Sequence, residues 1–253
     1  MILDAFRLDG KVALVTGASA GLGAAIAVAL AEAGADVACH GNSRAPDATC
    51  EAIARLGRRT AAVKGDLVDR EVSRTLVETT ERELGPIDIL INNAGTIRRA
   101  PAVDYSEDDW DAVIEVNLSS VLRLSQRAGK PMIERGRGKI VNIASVLSFQ
   151  GGIAVPAYAA SKGAVAQLTK ALANEWAAKG VNVNAIAPGY MRTDNTLALQ
   201  RDENRNRQIV ERIPAERWGE PADVAGAAVF LSSSASDYVH GHVLVVDGGW
   251  MGR

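Results

Sequence analysis

Residues 11–23 read Lys-Val-Ala-Leu-Val-Thr-Gly-Ala-Ser-Ala-Gly-Leu-Gly and lead from an apolar run into an Ala-rich segment. The apolar run predicts a buried strand, and the Ala-rich residues 22–33 predict a helix. Gly17, Gly21 and Gly23 lie in the turn between them. Glycine permits a tight turn and a close approach to a ligand, and free N–H groups at a helix start bind phosphate. In this context the stretch predicts a unit that binds the pyrophosphate of a dinucleotide.

Strands and helices alternate along the rest of the chain. Seven apolar runs are continuous in hydrophobicity, which is typical of strands covered on both faces. The predicted strands are residues 11–16, 36–40, 60–64, 87–92, 139–144, 182–187 and 243–246, and the predicted helices are 22–33, 47–56, 70–84, 107–127, 157–179 and 221–232. This alternation predicts an α/β fold, a Rossmann-type doubly wound parallel seven-stranded sheet. We expect a single domain over residues 1–253, with residues 193–220 as a small mobile flap.

Composition restricts the classes of function. The net charge is -2 and the sequence pI is about 6.0, which disfavours binding to nucleic acid or to an anionic membrane. The uncharged residues 140–161 are interrupted by polar residues and glycines, so no membrane span is expected. Cys39 and Cys50 are too few for a disulfide framework, and the first residues lack the order of a secretory signal. We therefore expect a cytoplasmic protein.

Tyr158 and Lys162 are four residues apart in a predicted helix, and Ser145 lies thirteen residues before Tyr158. Residues i and i+4 share one helix face, so the ammonium group of Lys162 can lie beside the phenol. A nearby positive charge favours the phenolate, so we expect the pKa of Tyr158 to fall below its ordinary value of about 10. Such a tyrosine can act as a general acid or base. The same spacing is common on ordinary amphipathic helices, so the pair alone does not decide its role.

The end of the second predicted strand bears on the identity of the dinucleotide. An acidic residue there would bind the ribose hydroxyls of NAD, whereas a basic or small polar residue can accept the 2′-phosphate of NADP. This chain has Asn42, Ser43 and Arg44 at that position, while Asp36 lies at the opposite end of the strand. The pattern favours NADP and leaves NAD open.

Further motifs follow in chain order, namely Asn92-Asn93-Ala94-Gly95, Asn117, Ser145, Tyr158, Lys162 and Pro188-Gly189. With the glycine turn, this combination resembles the classical short-chain dehydrogenase/reductases over essentially the full chain. The resemblance implies that Tyr158 is the catalytic acid or base and that Ser145 orients the substrate oxygen. It also implies that Lys162 binds the nicotinamide ribose and that Asn117 holds a proton-relay water.

The resemblance further implies an NADP or NAD site. Asp66 would contact the adenine, and Thr193 would meet the carboxamide. The residues expected at the cofactor are Gly17, Ser19, Gly21, Leu22, Gly23, Asn42, Ser43, Arg44, Asp66, Leu67, Asn93, Ala94, Gly95, Tyr158, Lys162, Pro188, Gly189 and Thr193. The family is typically tetrameric, with the last strand and the C-terminus near a two-fold axis. We therefore expect a homotetramer with Trp250 in a subunit interface.

A closer resemblance is to the branch of this family that acts on sugar acids, the 2-dehydro-3-deoxy-D-gluconate 5-dehydrogenases and gluconate 5-dehydrogenases. It is carried by segments such as 148–152, Ser-Phe-Gln-Gly-Gly, and 213–219, Ile-Pro-Ala-Glu-Arg-Trp-Gly. A sugar-acid substrate carries a carboxylate, which a guanidinium group can hold. The candidate cations are Arg98, Arg99, Arg192 and Arg217, and the expected substrate site contains Arg98, Ser145, Gln150 and Arg192.

Two alternatives stay open. A 3-ketoacyl thioester reductase would have the same fold and the same proton-transfer residues. A non-catalytic nucleotide-binding scaffold would be expected to lack the serine, tyrosine or lysine, all of which are present here. No metal is expected, because His240 and His242 have no third ligand apparent nearby.

Overall fold

The computed structural model describes residues 1–253, and its centre is one parallel sheet of seven strands. The spatial order is β3-β2-β1-β4-β5-β6-β7. The strands are β1 (Val12–Val15), β2 (Asp36–Gly41), β3 (Thr60–Lys64), β4 (Ile89–Asn92), β5 (Gly138–Ile143), β6 (Val181–Pro188) and β7 (Val243–Val246). Every residue of β1, β4 and β6 is buried, as their continuous apolar runs predict. The predicted seven-stranded sheet is confirmed.

Helices cover both faces of the sheet. They are α1 (Gly21–Glu32), α2 (Asp47–Arg55), α3 (Arg70–Glu83), α4 (Glu107–Ile114), α5 (Ser120–Glu134), α6 (Pro156–Trp176), α7 (Leu197–Arg201), α8 (Glu203–Arg212) and α9 (Pro221–Ser232). Helix α1 packs against α2 and α9, and α5 packs against α3 and α6. None of the helices combines the length and the apolar character needed to cross a membrane.

Two apolar clusters, one on each face of the sheet, hold these layers together. Val15 belongs to the cluster that contains Ile26 of α1, and its neighbour Leu14 belongs to the cluster that contains Leu124 of α5. Successive strand residues point to opposite faces, so one short apolar strand supplies both clusters. The doubly wound α/β domain is therefore confirmed.

The strand order reverses beside β1, and this reversal opens a crevice. The chain moves outward from β1 through β2 to β3 and then returns to β4 on the other side of β1. Loops that leave the carboxyl ends of β1 and β4 must diverge at this point, which is where ligands bind in open α/β sheets. The glycine turn follows β1, and the segment Asn93 to Gly95 follows β4.

The helix predicted over residues 107–127 is longer and is interrupted. A π-helical segment, Glu115–Ser119, separates α4 from α5, and it contains the fully buried Asn117. Single π-helical turns widen a helix locally and are frequent at functional sites. Hydrophobic periodicity alone does not reveal such a turn, because the apolar face continues through it.

Residues 193–220 form α7, α8 and the loops around them. Most of their side chains are partly or fully exposed, but Ile209, Ile213 and Trp218 are buried in a small cluster with Trp250. The expected flap therefore has a packed apolar base, and its mobility stays a prediction.

Trp250, near the C-terminus, packs against the base of the flap. Its ring is only 5% exposed within one chain and lies 4.6 Å from the ring of Tyr190, measured between centroids. The guanidinium carbon of Arg212 lies 4.0 Å from the same ring. Trp250 is thus largely buried by its own chain and packs against the flap, and its place in a subunit interface stays a prediction.

Candidate active site

The glycine turn folds as its sequence requires. Gly17 has φ +66°, and a Cβ added there would lie 2.9 Å from the Cα of Ala94. Only glycine fits such a left-handed and crowded position. Helix α1 starts after Ala20, and no side chain caps its first N–H groups. These donors and the positive end of the helix dipole are therefore available to an anion such as a pyrophosphate.

A cleft of about 400 Å³ runs from this turn to Tyr158. Most of the residues predicted at the cofactor line it, namely Gly17, Ser19, Gly21, Leu22, Gly23, Asn42, Ser43, Arg44, Asn93, Ala94, Gly95, Tyr158, Lys162 and Thr193. Asp66 and Leu67 line an adjoining pocket of about 250 Å³ that shares Gly17 and Asn42 with the cleft. The residues that line the cleft thus extend from the glycine turn, where a pyrophosphate is expected, to Tyr158.

Pro188 and Gly189 are the predicted residues that line neither the cleft nor the adjoining pocket. Gly189 donates its N–H to the carbonyl oxygen of Val246 at 2.9 Å, and a Cβ added to it would lie 2.7 Å from the Cα of Asp247. A glycine is therefore required at position 189, because the loop after β6 packs closely on the loop after β7.

The polar end of β2 forms one wall of the cleft. The hydroxyl of Ser19 donates to the carbonyl oxygen of Arg44 at 2.6 Å, which ties this loop to the glycine turn. The guanidinium group of Arg44 makes no ion pair with a carboxylate, whereas Asp36, at the opposite end of β2, pairs with Arg59 at 2.8 Å. A positive charge and two small polar residues therefore face this part of the cleft with no acid beside them.

Thr16 organises the loop after β4, and the sequence argument did not single it out. Its Oγ1 accepts hydrogen bonds from the N–H groups of Asn93 and Ala94, both at 3.0 Å. The side chain of Asn93 in turn donates to the carbonyl oxygen of Thr16 at 2.8 Å. In the sequence, the position of Thr16 at the end of an apolar strand indicates such a role, because a buried hydroxyl needs a hydrogen-bond partner.

Asn117 holds the next part of the same loop. Its Oδ1 accepts from the N–H of Thr96 at 2.8 Å, and its Nδ2 donates to the carbonyl oxygen of Thr96 at 3.0 Å and to the Oγ of Ser161 at 3.1 Å. The carboxamide thus joins the π-helical segment, the loop after β4 and α6. Its side chain is committed to these contacts, so any relay role of Asn117 would fall to its backbone.

Lys162 lies on the buried face of α6. Its Nζ donates to the carbonyl oxygen of Ile143 at 2.6 Å and lies 5.7 Å from the centroid of the Tyr158 ring. Burial lowers the pKa of Lys162 from 10.5 to about 8. The ammonium form therefore still predominates at neutral pH, and its other N–H groups lie at the cleft that Lys162 lines.

The expected lowering of the pKa of Tyr158 is not found. Burial raises the pKa of Tyr158, while the nearby hydroxyl of Ser145 and the charge on Arg99 act in the opposite direction. Desolvation of the phenol is the larger effect here, and the spacing of Tyr158 and Lys162 in the sequence does not reveal it. Tyr158 is consequently a protonated phenol at neutral pH, suited to donate a proton.

Ser145 follows β5 and is held beside the tyrosine. Its Oγ accepts from the N–H of Leu147 at 3.1 Å, and its own N–H donates to the Oγ of Ser148 at 3.3 Å. The Ser148 hydroxyl donates to the carbonyl oxygen of Lys162 at 2.6 Å. Ser148 was not predicted at the site, yet it connects the serine loop to the helix that carries Tyr158 and Lys162.

The four candidate arginines separate in space. Arg192 pairs with Glu220 at 3.0 Å, and Arg217 pairs with Asp223 through two contacts. Arg98 lines the pocket of Asp66 and approaches Asp109 at 3.4 Å. Arg99 makes no ion pair, and its charge acts on Tyr158.

Of the remaining predicted substrate residues, Gln150 faces the flap. Its Oε1 accepts from Nη2 of Arg212 at 3.4 Å. The arginine that the structure brings to the tyrosine is therefore Arg99, whereas the sequence argument selected Arg98 and Arg192. Adjacent arginines carry no signal in the sequence that distinguishes the directions of their side chains.

The arrangement combines a phenol that can donate a proton, a hydroxyl beside it, a buried amine and a cleft that reaches the uncapped start of α1. A family model described as enoyl-(acyl carrier protein) reductase matches residues 17–251. A 2-dehydro-3-deoxy-D-gluconate 5-dehydrogenase of Dickeya dadantii (strain 3937) is 53% identical over 254 residues that cover 100% of both chains.

Solved structures agree in fold along the whole chain. One from Agrobacterium tumefaciens, provisionally named a 2-deoxy-D-gluconate 3-dehydrogenase and holding NADP, is 56% identical with a TM-score of 0.92, covering 98% of this chain and 99% of that chain. A gluconate 5-dehydrogenase from Burkholderia cenocepacia J2315, in complex with NADP and tartrate, is 40% identical with a TM-score of 0.94 over 100% of both chains. The chain therefore belongs to the short-chain dehydrogenase/reductase family.

Proposed function

We propose that this protein is an NAD(P)-dependent oxidoreductase that interconverts a secondary hydroxyl and a ketone on a sugar acid of the 2-dehydro-3-deoxy-D-gluconate or gluconate type. The observation that carries the proposal is the meeting of Tyr158, Ser145 and Lys162 at one end of a cleft whose other end is an uncapped helix start. Relatives over the full chain length that are named for these substrates support it.

The residues present fit a dinucleotide. The glycine turn leaves room beside the first N–H groups of α1, where a side chain at Gly17 would collide with Ala94. Arg44 and Ser43 would hold a 2′-phosphate, and Lys162 would hold ribose hydroxyls through the N–H groups not used by Ile143. The dinucleotide supplies the hydride acceptor or donor.

Tyr158 handles the proton. In the reductive direction its protonated phenol donates to the substrate oxygen, and in the oxidative direction the phenolate accepts the hydroxyl proton. The Ser145 hydroxyl donates a hydrogen bond to the same oxygen and holds it in place. Lys162, positive below its pKa of about 8, stabilises the phenolate that each proton transfer requires.

Arg99 is the group we assign to the substrate carboxylate. Its guanidinium group has no acidic partner, donates to the carbonyl oxygen of Asn195 at 3.0 Å and acts electrostatically on Tyr158. Arginine offers a planar pair of donors that matches a carboxylate. A substrate anchored there would extend its hydroxyl-bearing carbons toward Tyr158.

We propose NADP as the preferred dinucleotide, on the basis of Arg44 and the lack of an acid at the end of β2. The homotetramer and the cytoplasmic location stay predictions. Light scattering on an eluting size-exclusion peak tests the first, because a mass near four times 26.6 kDa is expected.

The function is tested by following absorbance at 340 nm with NADP(H) and NAD(H) against gluconate, 5-ketogluconate and 2-keto-3-deoxygluconate. We expect turnover of at least one sugar acid and faster turnover with the phosphorylated dinucleotide. The same panel includes 3-ketoacyl and enoyl thioesters. Turnover of a thioester without turnover of any sugar acid would replace this proposal with the acyl reductase alternative, and nucleotide binding without turnover of a broad carbonyl set would favour a scaffold.

A further inference from the structure

His40 is a buried histidine that the proposed reaction does not use. It is the penultimate residue of β2 and is 1% exposed. Its Nδ1 lies 3.2 Å from the backbone nitrogen of Gly17, and its Nε2 lies 2.9 Å from the carbonyl oxygen of Gly65. Both ring nitrogens are therefore engaged by backbone groups.

The two partners fix the protonation state of the ring. A backbone N–H can only donate, so Nδ1 must present its lone pair to Gly17. A carbonyl oxygen can only accept, so Nε2 must carry the hydrogen that Gly65 receives. The geometry thus requires the neutral Nε2–H tautomer of His40.

The ring joins the two ends of the nucleotide site. Gly17 begins the glycine turn at the pyrophosphate end of the cleft. Gly65 directly precedes Asp66 and Leu67, which line the adjoining pocket together with His40. The backbone carbonyl of His40 also accepts from the N–H of Ala18 at 2.7 Å, so the same residue holds the turn from two sides.

A second proton on the ring would oppose this arrangement. It would sit on Nδ1, where it faces the N–H of Gly17, and the hydrogen bond would become a contact between two donors. Burial lowers the pKa of His40, while the carboxylate of Asp66 acts in the opposite direction. The hydrogen bond to the carbonyl oxygen of Gly65 also raises the pKa of His40. Arg98 is the other charged side chain of the shared pocket.

We propose that neutral His40 is a positioning residue, which keeps Gly17 and Gly65 at the spacing that the dinucleotide requires and weakens nucleotide binding when it takes up a second proton. The proposal rests on the proposed binding of a dinucleotide. It adds to that binding a requirement on the protonation state of His40, a strand residue that is not among the groups assigned to the reaction.

The first test observes the ring directly in the free protein. Nuclear magnetic resonance of selectively ¹⁵N-labelled histidine has only three residues to resolve, and a His40→Leu variant identifies the signal of His40. We expect an unprotonated Nδ1 and a protonated Nε2 at about pH 7.5. A ring protonated on Nδ1 would overturn the proposal, whether or not the protein binds a nucleotide.

The second test measures NADH affinity by titration from about pH 7.5 downward, since NADH lacks a 2′-phosphate that itself titrates near pH 6. We expect affinity to fall with the midpoint at which the His40 ring titrates. Constant affinity across that midpoint, or a ring that titrates only as the chain unfolds by circular dichroism, would contradict the pH dependence. No binding of any dinucleotide at about pH 7.5 would instead contradict the proposed function.

Variants separate positioning from a general loss of folding. His40→Leu should weaken NADH binding about tenfold at neutral pH and remove its dependence on this ring. His40→Asn, whose carboxamide oxygen can still accept from Gly17, should recover part of the affinity and retain kcat at saturating nucleotide. The exposed His242, changed to Asn, is the control that should retain wild-type affinity and pH dependence. Wild-type affinity in His40→Leu would overturn the positioning role.

Discussion

The guanidinium group of Arg99 donates to the carbonyl oxygen of Asn195 at 3.0 Å and so joins the loop after β4 to the first residues of the flap. The same guanidinium charge opposes the rise in the pKa of Tyr158. One cation therefore connects three parts of the site, namely the tyrosine, the cleft wall and the segment expected to close over the substrate.

Arg99→Ala should raise the KM for the sugar acid about tenfold or more, because a charge-assisted pair to the carboxylate is lost. Steady-state kinetics at saturating nucleotide measure the effect. Arg98→Ala is the matched control, since its side chain lines the pocket of Asp66 and should leave this KM close to that of the wild type. A larger rise in KM in Arg98→Ala than in Arg99→Ala would instead assign the substrate carboxylate to Arg98.

The buried amine of Lys162 should make stability depend on pH in the alkaline range. Above its folded pKa of about 8 the amine is neutral in the folded chain, while the unfolded chain still binds the proton up to its ordinary value of 10.5. The unfolded state then holds more protons, so the free energy of unfolding gains a positive slope with pH.

Between about pH 7 and pH 9.5 we expect wild type to gain about 2 kcal/mol relative to Lys162→Met. Urea denaturation of both proteins at each pH measures the difference, and groups away from Lys162 cancel in the comparison. Tyr158, the titratable neighbour of Lys162, stays protonated in this range because its pKa is raised above 10. A gap that stays constant, or that moves against wild type, would show that the folded pKa of Lys162 is not lowered.

The sheet and the cofactor turn were predictable because each depends on local sequence. Continuous apolar runs identified all seven strands, and Gly17 is demanded by a turn in which a Cβ would meet Ala94. These features arise from burial on both faces and from backbone geometry, which short stretches of sequence encode.

Other parts of the site depend on long-range packing that no short stretch encodes. Arg98 and Arg99 are adjacent in sequence, yet one lines the pocket of Asp66 and the other acts on Tyr158. Trp250 is buried by Tyr190 and by the flap of its own chain. An aromatic residue near the C-terminus does not by itself indicate such packing. The pKa of Tyr158 rises because burial outweighs the nearby charges.

Arg44→Ala should lower kcat/KM with NADP by about tenfold or more and leave the value with NAD nearly unchanged, because only NADP carries the phosphate that the guanidinium would hold. Arg55→Ala, which removes an exposed arginine from α2, is the control with equal change in net charge. An equal loss with both dinucleotides would contradict the phosphate assignment.

Trp250→Ala should loosen the base of the flap. Loss of a ring that contacts Tyr190 and Arg212 should speed tryptic cleavage within residues 201–212, which contain four arginines, and raise the KM for the sugar acid. Timed proteolysis followed by mass spectrometry locates the first cut. Trp110→Ala removes a ring that is 42% exposed and should leave the cleavage rate as in the wild type. If cleavage of Trp250→Ala began elsewhere in the chain, the proposed role of Trp250 in stabilising the flap would be contradicted.

We propose that Tyr158 transfers the proton while the cleft holds the dinucleotide independently of it. The most direct test is the turnover number of Tyr158→Phe for reduction of the sugar-acid ketone, measured beside its NADPH dissociation constant. We expect a loss of about 10²- to 10⁴-fold in turnover with NADPH affinity retained within about threefold. Turnover of Tyr158→Phe close to that of the wild type would contradict it.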